Sequence, residues 1–206
     1  MNKKYRHLLL ILFWPFFLYA FFATEKLALT TGYTVIHCSL DDVIPFCEYW
    51  IIPYVIWYPF WILMLFYSAF WEVPVFVRFM KYLMITLLIS LVIYVVWPTG
   101  HHLRPESFPR DNFFSWLTGL IYKADNCTNI CPSEHVQTAF GVVFAALDSK
   151  RLSVKKPWMI FFWTEAILVA FSVVFIKQHS AVDVFAAIPV ILIGYFLTYY
   201  KKAAHG

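Results

Sequence analysis

Runs of residues without a single charge dominate this chain. Residues 8–24, 51–71, 82–97 and 184–200 contain none, and residues 157–176 contain only Glu165. About 20 apolar residues are needed to cross the hydrocarbon core of a bilayer, and backbone polar groups in lipid must be satisfied within the segment, which leaves helices. Lys81 sits where its stem can lie along an apolar surface while its amine reaches water. A sixth stretch, 132–148, reaches span length only if it takes in Ser133, Glu134 and His135. The expected fold is therefore all-α, a six-transmembrane-helix bundle forming one domain over residues 1–206. Only 14% of residues are charged, against about 25% in soluble domains. The basic start (Lys3, Lys4, Arg6) followed by an apolar run and the small residues Ala20 and Ala23 resembles a secretion signal. With five further spans behind it, an uncleaved first helix is the simpler reading.

Alternating spans assign each connection to one of two sides. Lys3, Lys4, Arg6, Arg78, Lys81, Lys150, Arg151, Lys155, Lys156, Lys201 and Lys202 share one side, eleven of the sixteen Lys and Arg residues. The cation excess marks that side as cytoplasmic, with both termini there. The net charge of +4 suits a membrane surface. No basic run interleaved with aromatics suggests a nucleic-acid partner. Cys38, Cys47, Cys127 and Cys131 all fall on the opposite, extracytoplasmic side, where disulfides persist. Cys38–Cys47 and Cys127–Cys131 would be local staples, with the other connectivities and four free thiols as alternatives. No Cys/His spacing resembles a zinc site, and no cofactor is expected.

The two long connections, about 25–50 and 98–131, lie on that outer side, where sites on a rigid bundle are built. The second is expected to hold a short interfacial helix at 111–123 with Phe113, Phe114, Trp116 and Leu117 on its apolar face. Three polar clusters sit at outer span ends: Trp97-Pro98-Thr99-Gly100-His101-His102-Leu103-Arg104-Pro105-Glu106, Cys131-Pro132-Ser133-Glu134-His135, and Lys177-Gln178-His179-Ser180-Ala181-Val182-Asp183. Helices of alternating direction gather these ends at one membrane face. His179 and Asp183, four apart, share a helix face. A carboxylate on one ring nitrogen fixes the tautomer and frees the other nitrogen to attack. Pro132 suits a first helical turn, so the amides of Ser133, Glu134 and His135 form an anion site. Arg104 and Lys177 add cationic donors, and His135 can protonate a leaving alkoxide. That set meets the needs of phosphoryl transfer.

Those residues carry a resemblance. Pro132-Ser133-Glu134-His135 looks like the P-S-x-H motif of the type 2 phosphatidic acid phosphatase superfamily. His179-Ser180-Ala181-Val182-Asp183 matches the H-x3-D end of its last motif, and Arg104-Pro105 the end of its first. The resemblance covers roughly residues 50–200. It implies a six-helix bundle, a phosphohistidine formed on His179, His135 as the acid for the leaving group, and no metal; beside it, the reading of the residues expects Asp183 behind the nucleophile and phosphate contacts from Arg104, Ser133 and Lys177. The implied activity is hydrolysis of a lipid phosphomonoester or pyrophosphate drawn from the outer leaflet. Trp97 stands where the first motif begins with Lys, and Val173 where the last has Arg. Lys177 is the expected replacement cation. These departures bring the chain closer to the branch containing inositol phosphorylceramide synthases, which makes transfer to an alcohol the alternative.

The remaining polar residues have plainer readings. His101 and His102 are read as loop residues. Glu165, an ionisable group in mid-span, is read as an interhelical contact, with Ser90 or Thr138 as partners. A transporter would line a continuous path with polar groups. Here they collect at one face.

Overall fold

A computed structural model describes residues 3–200. It is mostly helical, 75% helix and 3% strand. A 3-10 segment, Lys3–Leu12, leads into α1 (Phe13–Thr31). β1 (Thr34–Val35), α2 (Ser39–Val43) and a single 3-10 turn, Glu48–Trp50, precede α3 (Ile51–Trp71). Then come α4 (Val73–Val96), β2 (Thr99–Gly100), α5 (Phe113–Ala124), α6 (Glu134–Asp148), α7 (Lys156–Phe175) and α8 (Ala181–Tyr195), the last prolonged by a π turn, Phe196–Tyr200. Among the described residues, five helical stretches are long and apolar enough to cross a membrane: Tyr5–Thr31, Glu48–Trp71, Val73–Val96, Lys156–Phe175 and Ala181–Tyr200.

The sixth expected span, α6, has 15 residues, about 22 Å of helix against a hydrocarbon core of about 30 Å. Its weak hydropathy has a packing cause. α6 is the central post of the bundle, packed by α3, α4, α7 and α8, and nine of its residues are buried, Gln137 and Thr138 among them. A helix surrounded by protein is freed from the need to be apolar towards lipid. Small residues let its neighbours close in. A Cβ on Gly141 would come within 2.6 Å of the Tyr82 ring, and one on Gly194 of α8 within 2.9 Å of the same ring. Tyr82 donates to the Gln137 carbonyl at 3.0 Å, and the Gln137 amide donates to Ser90 Oγ at 2.9 Å.

Helix ends run past the expected boundaries. α1 continues to Thr31, so Glu25 and Lys26 are helical, and α4 starts at Val73, which draws Arg78 and Lys81 into a helix. Lys26, Arg78 and Lys81 tolerate this because long basic stems snorkel, whereas Glu25 is buried. At this end of the bundle Arg78 Nε donates to Asp148 at 2.5 Å. Lys201 and Lys202, counted with these cations above, lie outside the described residues.

The opposite end carries the long connections. β1 pairs in parallel with β2, Thr34 with Thr99 and Val35 with Gly100, tying the two loops together. The expected interfacial helix is α5, capped by Asn112 Oδ1, which accepts from the amides of Phe114 and Ser115 at 2.9 and 3.0 Å. Its apolar face divides: Phe114 and Leu117 pack into the body, while Phe113 and Trp116 are exposed. Arg110 grips buried Glu48 at 2.6 and 2.8 Å, and Asn112 Nδ2 donates to the same carboxylate at 2.9 Å. The disulfide staples are corrected. All four cysteines are free thiols, and these hydrogen bonds fasten the loops in their place.

Candidate active site

The site is built on the turn from α7 into α8. Ser180 is the N-cap of α8 and forms a reciprocal cap with Asp183. Ser180 N donates to Asp183 Oδ2 at 2.9 Å, and His179 Nδ1 donates to the same oxygen at 3.2 Å. The carboxylate that starts the helix thus also orients the imidazole. Asp183 is fully buried and His179 is 6% exposed. With its Nδ1 proton held by Asp183, His179 presents a lone pair on Nε2. That atom lies 3.2 Å from Nδ1 of His135, with the rings at 71°. His135 packs on two aromatic rings of α3, Tyr54 at 4.8 Å and Trp57 at 4.3 Å between centroids.

Ser133 precedes α6 and is fully buried; its hydroxyl has no hydrogen-bond partner among the described residues. Its amide donates to the Asp183 carbonyl at 3.1 Å, which locks the start of α6 to α8. First-turn amides have no partner within their own helix, so those of Glu134 and His135 face out of α6 at the same end. A cavity of ≈ 30 Å³ lies here, lined by Tyr94, Asp125, Asn129, Glu134, His135 and His179 among others. That volume holds about one water. Oxygen atoms of Glu134 and Asn129 are buried without a partner.

The two expected phosphate cations are near the pair but engaged with the backbone. Arg104 donates to the carbonyls of Tyr122, Asp125 and Asn126 at 3.1, 2.8 and 2.9 Å, donates to Gln178 Oε1, and stacks 4.3 Å over the Tyr122 ring. It closes the C-terminal turn of α5. Lys177 Nζ donates to the carbonyls of Asp41 and Ile44 at 2.9 and 2.6 Å, and burial lowers its pKa against the pull of Asp41 and Asp42. Its backbone is left-handed, φ 55°, a strained state for lysine. The amides of Gln178 and His179 both bond the Val173 carbonyl at 2.9 Å, so this turn sets the position of His179.

Several residues of the site carried no sequence signal. Asp41, in α2, accepts from Ser180 Oγ at 2.6 Å, Ala181 N at 2.8 Å and Cys38 N at 2.9 Å. These hydrogen bonds hold its carboxyl below the usual range, overcoming the opposing effect of burial. Gln178 bridges Arg104 to Asp125, its amide donating to Asp125 Oδ2 at 3.0 Å and Tyr54 Oη at 3.2 Å. Burial pushes the Asp125 carboxyl up. His101 is buried in a scaffolding role: Nε2 donates to the Gln178 carbonyl at 2.9 Å and Nδ1 accepts from Leu103 N at 3.1 Å. Both nitrogens of a neutral ring are satisfied, and burial lowers its pKa to about 4. His102 is exposed. Glu165 is buried with an unpartnered Oε1. The contacts expected for it are taken, since Ser90 bonds Gln137 and Thr138 accepts from Trp57.

Among the described residues no three His, Cys, Asp or Glu side chains are grouped to hold a metal ion. Compared with known proteins, the chain matches no family model, no curated protein and no solved structure.

Proposed function

We propose that the chain is a metal-independent membrane phosphatase that hydrolyses a lipid phosphomonoester or pyrophosphate through a phosphohistidine. The observation that carries this reading is the line Asp183–His179–His135, with 3.2 Å at each step. It couples an oriented nucleophile to a second histidine beside the unpaired amides of a helix start. In this reading α6 is the sixth span, the termini are cytoplasmic, and the histidines face the outer leaflet.

His179 Nε2 attacks phosphorus. The bond from phosphorus to the lipid oxygen breaks, and protonated His135 gives that oxygen its Nδ1 proton. Neutral His135 then takes a proton from water, the hydroxide attacks the phosphohistidine, the N–P bond breaks, and His179 leaves as the neutral imidazole, its Nδ1 proton still donated to Asp183. The α6 amides and Ser133 receive the equatorial oxygens. Arg104 and Lys177 act from behind, by fixing α5 and the His179 turn. A nucleophile waits about 3–3.5 Å from the reacting atom, and an acid stands about 3 Å from the leaving atom on its far side. Together these require the two nitrogens to sit roughly 6 Å or more apart in the loaded site. Substrate binding therefore parts the histidines.

Transfer to an alcohol is the second reading. The unpartnered Glu134 oxygen beside His135 favours it, since that oxygen can accept from an acceptor hydroxyl. A panel of lipid phosphates given to purified protein, with and without acceptor alcohols, separates the two. Free phosphate is expected from wild type and none from His179→Ala. A phosphorylated alcohol without free phosphate establishes transfer, and unchanged release by His179→Ala rejects the mechanism.

A further inference from the structure

Between α1 and α3 runs an apolar groove that ends at the candidate active site. Its outer part is a cavity of ≈ 380 Å³ lined by Phe17, Leu18 and Phe21 of α1 and Trp57 of α3, with Glu134 and His135 at one end. α1 is held mainly by α4, which leaves its other flank free to form this slot. Trp14 stacks on Trp61, ring centroids 4.6 Å apart at 29°. Both residues line the slot, and both also line a second apolar cavity of ≈ 280 Å³ continuing along the same two helices past Leu8, Leu65 and Phe66. The indole pair is thus a partition across one longer groove. Its lining passes from carboxylate and imidazole to bare hydrocarbon along its length, and that gradient is complementary to an amphiphile. The volume lies within the range of ligand sites, about 300–1,000 Å³.

We propose that the slot holds one hydrocarbon chain of the lipid substrate and that the Trp14–Trp61 stack is its floor, setting the chain length accepted. This rests on the phosphatase reading for the identity of the head end. A chain lying along α1 and α3 presents its phosphate to His135 and His179 at the mouth. Removing either indole joins the two cavities and lengthens the slot.

The test uses single-chain alkyl phosphates of increasing length with purified full-length protein. Wild type is expected to lose about tenfold in kcat/KM once the chain outgrows the floor. Trp61→Ala and Trp14→Ala are expected to shift that break to longer chains. Leu18→Trp, at an exposed position on the slot wall, should shift it to shorter chains, and it keeps the test open if either deletion fails to fold. A break that stays fixed in all three variants overturns the proposal. An alkyl phosphate carrying a terminal photoreactive diazirine gives a readout independent of turnover. Crosslinks at Trp14, Leu18 or Trp61 support the slot even if no phosphate is released, a result that would reject the phosphatase reading alone. Crosslinks spread over other lipid-facing residues, such as Phe161 or Phe185, reject the slot.

Discussion

In the proposed reaction each residue of the histidine line has a distinct chemical task, and substitutions separate them. Asp183→Asn keeps the size of the side chain but can turn a donor towards His179 Nδ1, which favours the wrong tautomer. A fall in kcat of roughly 10²–10⁴-fold is expected, with the fold intact by circular dichroism. His135→Ala removes the proton for the leaving group, so it should cost most with poor leaving groups and least with an activated aryl phosphate. Equal losses on both would contradict the assignment. His101 governs a pH effect of another kind. Its pKa falls from 6.5 to about 4 in the folded chain, so protonation favours the unfolded state. Stability is fully retained above about pH 6.5 and declines as pH falls towards 4, by up to about 3 kcal/mol. Thermal midpoints measured across that window should slope less in His101→Asn, and an unchanged slope would assign the effect elsewhere.

Elements are held at the site by side chains that act on backbone. Arg104 closes the last turn of α5, and Asp41 holds the first turn of α8. Arg104→Ala should cost about 2–4 kcal/mol of stability. Arg104→Lys should recover little, because an ammonium cannot reproduce a planar fork on three carbonyls. Thermal unfolding in detergent measures both. Asp41→Asn should lower kcat more than it raises KM, since it loosens the turn carrying His179 without touching a bound lipid. How far sequence reached is clearest at this scale. The helix ends bearing His135, His179 and Asp183 were legible, because charge-free runs locate spans and the Pro-Ser-x-His and His-x3-Asp patterns sit at their ends. Arg104 and Lys177 were legible as cations close to the pair, but sequence gave no sign that carbonyls of α5 and of the α2 region would engage them. Asp41 lies 139 residues before Ser180, and no local pattern records a contact of that separation. Spacing left the cysteines open between local staples and free thiols, and all four are free.

For the whole molecule, α6 decides the architecture. A helix with Gln137, Thr138, Gly141 and three alanines at the centre lets four helices close round it and brings three span ends to one place. Gly141→Leu should disrupt this packing, because even a Cβ meets the Tyr82 ring. Overpacking of this sort costs about 1–3 kcal/mol or more, visible as a lowered unfolding midpoint in detergent. The same bundle leaves an apolar groove between α1 and α3 that leads to the histidines. The central claim is that His179 is phosphorylated during turnover. Protein mixed with a lipid phosphate radiolabelled on phosphorus and quenched rapidly in alkali tests it most directly. Wild type should carry an alkali-stable, acid-labile label on the peptide containing His179, and His179→Ala should carry none. Turnover without any trapped label on that peptide, or a label that persists in His179→Ala, would contradict the account.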